Sequence, residues 1–157
     1  MQATTRPPLS FRRPRPSDDA FIARLAAQAF GEYSKNPEWT TLDMAHRGIV
    51  WLAWRRDQPV GFAIYQHSGG DTAELTAIAV DEPARGAGVG AALLAHVERE
   101  ATRAGIRGLG LHTAAANLSA MELFVKRGFR ITRRLPRFYR GVFEACELSK
   151  LLGSARR

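Results

Sequence analysis

Cysteine is almost absent from this chain: Cys146 is the only one in 157 residues. No disulfide can form within the chain, and such sparing use of cysteine suits a reducing compartment. Long apolar runs are missing as well, and none reaches the ~18 residues that a membrane-spanning helix needs. The stretch Met1 to Leu9 has neither an apolar segment nor a small-residue cleavage site. No secretory leader is therefore expected, and the chain reads as cytoplasmic. His46, His67 and His96 have no metal-ligand spacing with Cys146 or with one another, so no metal site is expected. Repeats and low-complexity blocks are lacking too. What remains is ordinary globular composition, 45% apolar and 24% charged, at a length that reads as one domain with one core.

Punctuation and period divide the chain. A single domain is expected over residues 10–152, with 1–9 and 153–157 as loose tails. Phe11 to Arg15 alternates weakly, as a first strand would. Ser17-Asp18-Asp19 supplies a cap and acids for a helix running to Phe30. Asn36-Pro37 breaks the chain before a short helix over Thr40 to His46. Ile49 to Arg55 and Val60 to His67 read as strands joined by a turn at Asp57-Gln58-Pro59, and Gly69-Gly70 turns the chain into a strand over Glu74 to Val80. A helix follows from Ala91 to Ala104, with Gly90, Leu93, Leu94, Val97, Ala101 and Ala104 as its apolar stripe. His96, Arg99, Glu100 and Arg103 form its wet face. A strand over Gly108 to Thr113, another helix, and a final hairpin (Arg130 to Leu135, Phe143 to Leu151) complete an α/β order with a mixed sheet.

The most informative stretch is Arg85-Gly86-Ala87-Gly88-Val89-Gly90, set between a buried strand and an amphipathic helix. Its glycines allow a tight turn and close backbone approach, while the helix points free N–H groups and its positive dipole end at the same spot. That is a cradle for a phosphate or pyrophosphate. A phosphate loop of the nucleotide-hydrolase type requires Gly-Lys-Ser/Thr, whereas here Ala91, Ala92 and Leu93 follow. A dinucleotide loop fits Gly86, Gly88 and Ala91 but requires an acid at the end of the next strand, where His112-Thr113-Ala114 stands. The pattern Arg/Gln-x-x-Gly-x-Gly/Ala is met by Arg85, Gly88 and Gly90. Further on, Asn117-Leu118-Ser119-Ala120-Met121-Glu122-Leu123-Phe124-Val125-Lys126-Arg127-Gly128-Phe129 places an N-cap at Asn117 and a left-handed stop at Gly128. It also brings Phe129 back toward Phe124.

These two motifs, in this order, resemble the two signatures of the GNAT superfamily of acyl-CoA-dependent N-acyltransferases, and the resemblance covers about residues 10–152. It implies a mixed, mostly antiparallel central sheet flanked by helices, acetyl-CoA as cosubstrate, and direct acetyl transfer to a primary amine in a ternary complex. It implies that Arg85, Gly86, Ala87, Gly88, Val89, Gly90 and Ala91 hold the pyrophosphate. It further implies that a bulge frees amides of Ile78, Ala79 and Val80, and that Asn117 and Phe124 line the acyl-CoA site. Where the superfamily usually carries a tyrosine that protonates the departing sulfur, this chain has Phe124.

An attacking amine must be neutral, so a carboxylate or an ordered water must collect a proton. Glu74 is the candidate base. Strand alternation puts it with Thr76, Ile78 and Val80 on one face, and its offset to Arg85 resembles that of the base in histone-type members. It also reads as a plain solvated acid at a strand entry. Tyr139, in the final hairpin, is the candidate acid or substrate contact; alternatively it is a half-exposed hairpin aromatic. His112, at the end of its strand, reads as a proton relay or as a structural histidine.

Charge points two ways. The formal net charge is +8, and Lys126, Arg127, Arg130, Arg133, Arg134, Arg137 and Arg140 occur with no acid among them in sequence. An acidic or phosphorylated amine suits such a hairpin, as does an RNA-bound protein, and the run also reads as a solvated basic face. The acceptor itself is left open between a small-molecule amine and a protein amine. Sparse aromatic interleaving argues against nucleic acid. Sheet edge and hairpin are candidate homodimer contacts. The alternative function is a catalytically weak acyl-CoA-binding or RNA-binding module that retained the fold.

Overall fold

The computed structural model describes residues 6–153. Seven strands form one sheet in the order β1-β2-β3-β4-β5-β7-β6: β1 Leu9–Arg12, β2 Ile49–Arg55, β3 Gln58–Gly69, β4 Thr72–Val80, β5 Gly108–Ala114, β6 Arg130–Tyr139 and β7 Phe143–Leu151. Every adjacent pair is antiparallel except β4 with β5. Four helices cover it: α1 Asp19–Phe30, α2 Pro37–Arg47, α3 Val89–Arg103 and α4 Leu118–Lys126. The architecture is the expected mixed, mostly antiparallel sheet between helices.

Two apolar clusters flank the sheet. On one face Ile22, Leu25 and Ala26 of α1 pack on Leu52, Phe62, Ile64, Ala77 and Ala79. On the other, Val89, Leu93, Leu94, Val97 and Ala101 of α3 pack with Leu75, Leu109, Leu111, Phe124 and Phe129. Full burial of each large side chain contributes roughly 1.5–3 kcal/mol, which is why α3 stays fixed while its first turn faces outward.

Several local expectations shift. β1 spans Leu9–Arg12, so Leu9 belongs to the sheet rather than to a tail; Pro14, which has no N–H, follows the strand's end. The first helix is entered through a 3₁₀ turn over Pro16–Asp18, where the Asp18 carboxylate accepts the Arg15 backbone N–H at 2.7 Å. Pro37 opens α2 instead of preceding it, because a first-turn position needs no N–H. The β2–β3 turn falls on Arg56-Asp57, with Arg56 at φ 55° and Arg55 paired to Gln58. β6 runs on through Pro136 to Tyr139; as an edge strand paired only to β7 it tolerates the missing donor.

The helical-wheel reading of α3 is wrong at two positions. Ala104 is exposed at the helix end. His96 is not on a wet face: its ring stacks on Phe11 at 4.3 Å and meets the edge of Trp51 at 4.4 Å. Strands β1 and β2 reach under the helix there, so burial pushes the His96 pKa below its ordinary value, against the opposing charge of Glu100.

Candidate active site

The site is built where β4 and β5 part. Their parallel pairing runs from Thr72/Gly108 to Leu75/Leu111 and then stops, although β4 continues to Val80 and β5 to Ala114. A bulge starts the divergence. Ile64 pairs with Ala77 and Tyr65 with Leu75, leaving Thr76 as the extra residue. Its Oγ1 donates to the Ile64 carbonyl at 3.2 Å.

The bulge has two consequences. First, it reverses the alternation of β4: Ala73 and Leu75 join the α3-side cluster, whereas Ala77 and Ala79 join the α1-side one and Ile78 and Val80 pack toward α3. Glu74 therefore does not share a face with Ile78 and Val80, as unbroken alternation predicts. Second, it sets which amides are free. The Asp81 N–H donates to the Val60 carbonyl at 2.8 Å, and the Val80 carbonyl accepts Arg85 Nε at 3.0 Å. By the alternation of an antiparallel ladder, Ile78 and Val80 then turn their polar groups into the gap, while Ala79 turns its own toward Phe62. Of the three residues singled out on this strand, Ala79 has its amide committed to β3.

After β4 comes a 3₁₀ turn over Glu82–Ala84 and then the glycine loop. Gly86 and Gly88 have φ of 76° and 78°, and a Cβ on either would point into open space. The first intrahelical bond of α3 is Ala92 N–H to Gly88 O at 3.0 Å, so the amides of Val89, Gly90 and Ala91 have no acceptor within the helix. No acid stands in that first turn. The positive end of the helix is open to an anion. Val89 offers only its backbone, because its side chain is buried. Gly90 does more than supply an amide: a Cβ there would sit 3.4 Å from Leu123 and 3.7 Å from Val80, so α3 lies close against α4.

Asn117 caps α4, its Oδ1 accepting the Ala120 N–H and the Ser119 hydroxyl, both at 3.2 Å. At the other end Gly128 has φ 95°, Phe129 N–H donates to the Phe124 carbonyl at 3.0 Å, and the two rings meet edge to face at 5.7 Å. Phe124 is thereby held nearly buried, with one side toward a cavity.

That cavity, about 330 Å³, runs under the gap between β4 and β5. Thr76, Ile78, His112, Ala114, Asn117, Phe124 and Tyr139 line its inner part. Phe30, Tyr33, Pro37, Thr40, Thr41 and Met44 close the opposite side. No lysine, arginine, aspartate or glutamate is among its walls. The sequence carried no local signal for the α1–α2 side; only the fold brings those residues to the gap.

Glu74 does not line the cavity and meets it only through His112, whose Nδ1 lies 3.4 Å from Glu74 Oε1. His112 Nε2 lies 3.2 Å from Glu147 Oε2, and Phe138 stacks on the ring at 5.0 Å. Tyr139 packs against Tyr33 at 5.5 Å and Phe138 at 4.9 Å. Burial first, then the charges of Tyr33 and Glu74, pushes its pKa up to about 12. Tyr139 thus stays protonated and able to donate at any working pH.

The basic hairpin looks different in space. Arg133 pairs with Glu147, Arg134 with Glu144, Lys126 with Glu122 and Arg127 with Glu98. Among the described residues, Arg130, Arg137 and Arg140 have no carboxylate partner, and Arg140 reaches the Glu32 carbonyl at 3.5 Å. No group of three or more metal-ligating side chains is found among the described residues, and no helix there is long and apolar enough to cross a membrane.

The fold is shared with known proteins. The ribosomal-protein-S18-alanine N-acetyltransferase of Escherichia coli superposes with a TM-score of 0.80 at 24% identity, over 95% of this chain and 97% of that one. Ard1 of Thermoplasma volcanium gives 0.84 at 23%, over 93% and 99%. A Bacillus subtilis acetyltransferase in complex with CoA gives 0.79 at 20%, over 93% and 100%. At these identities the likeness speaks for the fold alone. No curated protein matches the chain in sequence. A model of the acetyltransferase (GNAT) family, however, matches residues 19–129. That span holds the glycine loop, the bulged strand and the capped α4, and by it the chain belongs to the GNAT family of acetyltransferases.

Proposed function

We propose that this protein is an N-acetyltransferase that moves the acetyl group of acetyl-CoA to a primary amine by direct attack. The observation that carries this reading is the cavity at the gap where β4 and β5 part, lined by His112, whose ring nitrogen lies 3.4 Å from Glu74. Acetyl-CoA supplies an acyl group already activated as a thioester. The rest falls to the chain. The amides of Val89, Gly90 and Ala91 hold the pyrophosphate, with Arg85, Gly86, Ala87 and Gly88 shaping the approach. The amides of Ile78 and Val80 hydrogen-bond in the gap, and Asn117 and Phe124 form its far wall. Glu74 with His112 Nδ1 takes the proton that the amine loses. Tyr139 donates a hydrogen bond toward the departing sulfur. Its pKa of about 12 stands well above the ~8.5 of a thiol, so it stabilises the thiolate without giving up its proton.

The acceptor side of the cavity supports an uncharged substituent beside the amine, since Phe30, Tyr33, Pro37, Thr40, Thr41 and Met44 offer apolar contact and no counter-charge. An α-amine, near pKa 7.7–8.0, is easier to deprotonate than a lysine near 10.4. Two of the similar structures are ribosomal-protein alanine N-acetyltransferases. We infer a peptide or small molecule presenting an α-amine on a small, uncharged residue. An acidic acceptor is disfavoured because the cavity walls offer it no lysine or arginine. Phe124, which has no hydroxyl, favours a second reading: an acyl-CoA-binding module with weak turnover.

An acetyl-CoA consumption screen over free α-amines, lysine side-chain amines and acidic amines tests both readings. Turnover concentrated on peptides with an N-terminal alanine or serine is expected. Turnover only on lysine side chains or on acidic amines contradicts the acceptor assignment, and binding without turnover on any amine selects the module.

A further inference from the structure

Four adjacent strands carry a row of polar groups that acetyl transfer uses only in part. Glu74 on β4 pairs with Gly110 on β5. Two residues along β5, His112 pairs across with Glu147 on β7, and Glu147 pairs with Arg133 on β6. The side chains follow the register: Glu74 Oε1 to His112 Nδ1 is 3.4 Å, His112 Nε2 to Glu147 Oε2 is 3.2 Å, and Arg133 Nη2 donates to that same Oε2 at 3.0 Å. Thr132 Oγ1 donates to the other carboxylate oxygen of Glu147 at 3.0 Å. Glu147 does not line the cavity; His112 does.

The chemistry of the row assigns its protons. Arg133 and Thr132 hold Glu147 in its charged form, keeping its carboxyl below the usual range against a smaller opposing effect of burial. An ionised carboxylate only accepts hydrogen bonds. Nε2 of His112 must therefore carry its proton toward Glu147, which leaves Nδ1 as the nitrogen that gains or loses one. Between Nδ1 and Glu74 Oε1 there is a place for a single proton. The groups facing the ring are Glu74 from β4, Glu147 from β7, and Phe138 from β6, with Arg133 behind Glu147 and Tyr139 in the same cavity. The helices contribute no charged wall.

We propose that Glu147 is a positioning residue for the proton acceptor of the transfer: it fixes His112 with its proton on Nε2, so that Nδ1 and Glu74 together receive the proton of the attacking amine. The inference rests on the acetyl-transfer reading and adds to it a residue on the far side of the ring from the cavity. Each turnover forms one N–C bond and breaks one C–S bond. The proton lost by nitrogen enters the Nδ1–Glu74 site and passes to solvent, and the departing sulfur takes one from solvent. Glu147 keeps its charge throughout and steadies the ring while it is doubly protonated.

The test compares Glu147→Ala and Glu147→Gln with Glu74→Gln and His112→Gln, on the best amine from the screen. Glu147→Ala should lower kcat roughly ten- to hundredfold, less than the ~10²–10⁴ of a general base itself, with the KM for amine and the Kd for acetyl-CoA unchanged. The acid limb of its kcat/KM profile should move to lower pH, because an anion beside the ring has been removed. Glu147→Gln keeps an acceptor for Nε2–H. It should show the same displacement of the acid limb with a smaller loss of kcat. Nitrogen-15 NMR of His112 reads the tautomer without any activity: an Nε2–H form is expected in the parent and a mixture in Glu147→Ala. A parent-like kcat and acid limb in Glu147→Ala, or an Nδ1–H tautomer in the parent, overturns the assignment. If Glu74→Gln and His112→Gln cost activity while Glu147→Ala does not, this inference alone falls. If all of them retain the parent rate, the acid–base reading falls with it.

Discussion

Arg85 Nε donates to the backbone carbonyl of Val80 at 3.0 Å, so the first side chain of the glycine loop is folded back onto the last residue of β4. The loop is thus anchored to the strand whose gap it faces. Arg85→Ala removes that tether and one cation near the cradle. A hydrogen bond from a charged donor is worth roughly 1.5–3 kcal/mol when sheltered, less at an exposed site such as this. Acetyl-CoA binding measured by calorimetry should weaken by about three- to tenfold. An unchanged Kd shows that the loop holds its shape without the tether.

Gly88 offers a sharper cut. It is the left-handed residue that starts α3, at φ 78°, and a Cβ there points into open space before the helix amides. Gly88→Val strains the backbone by about 1–2 kcal/mol and fills the space an anion needs. Calorimetry should detect no acetyl-CoA binding to a protein that is still folded by circular dichroism. Parent-like affinity removes the cradle from the loop.

On the proposed mechanism, two aromatic residues bear on how the sulfur departs. Tyr139→Phe deletes the one hydroxyl contributed by the hairpin to the cavity wall and should lower kcat about tenfold, the value of one hydrogen bond. Phe124→Tyr introduces a hydroxyl elsewhere on the cavity wall and should recover part of that loss in the double variant. Full parent activity in Tyr139→Phe, measured on the best amine, contradicts a role for Tyr139.

His96 gives the fold a pH dependence apart from the site. Burial against Phe11 and Trp51 lowers its pKa in the native state. Below the ordinary value of about 6.5, the unfolded chain binds a proton that the native chain resists, so stability falls as pH drops through that window. Thermal unfolding should show Tm decreasing from about pH 7.5 to 5.5 in the parent. In His96→Phe, which keeps the stack and loses the titration, the decrease should be smaller. Equal slopes in both proteins exclude His96 as the cause.

What was legible in the sequence was local. Asn117, Gly128 and the Phe124–Phe129 contact all lie within one helix and its caps, and each does what its residue type suggests. The glycine loop was legible for the same reason. The bulge at Thr76 was not, because it depends on how β4 meets β3, and it moved Glu74 to the other face from Ile78. His112 and Glu147 are 35 residues apart and become neighbours only through the β5–β7 register, so the sequence left His112 between a proton relay and a structural histidine and showed neither of its carboxylate partners. The arginines of the hairpin suggested an acidic ligand because the acids that pair Arg133 and Arg134 come from β7, not from the hairpin's own first strand. His96 was misread because helical periodicity shows which side of α3 is apolar but not that β1 and β2 extend beneath its flank.

If Glu74, with His112, accepts the proton of an attacking amine, the ratio of parent to Glu74→Gln kcat/KM across pH at saturating acetyl-CoA reports it most directly. Near neutral pH the ratio should be about 10²–10⁴, the contribution of a general base. It should shrink steadily as the pH rises past the pKa of the amine, where the acceptor deprotonates by itself, while acetyl-CoA affinity stays the same. A ratio near one at neutral pH, or a large ratio that does not change with pH, contradicts it.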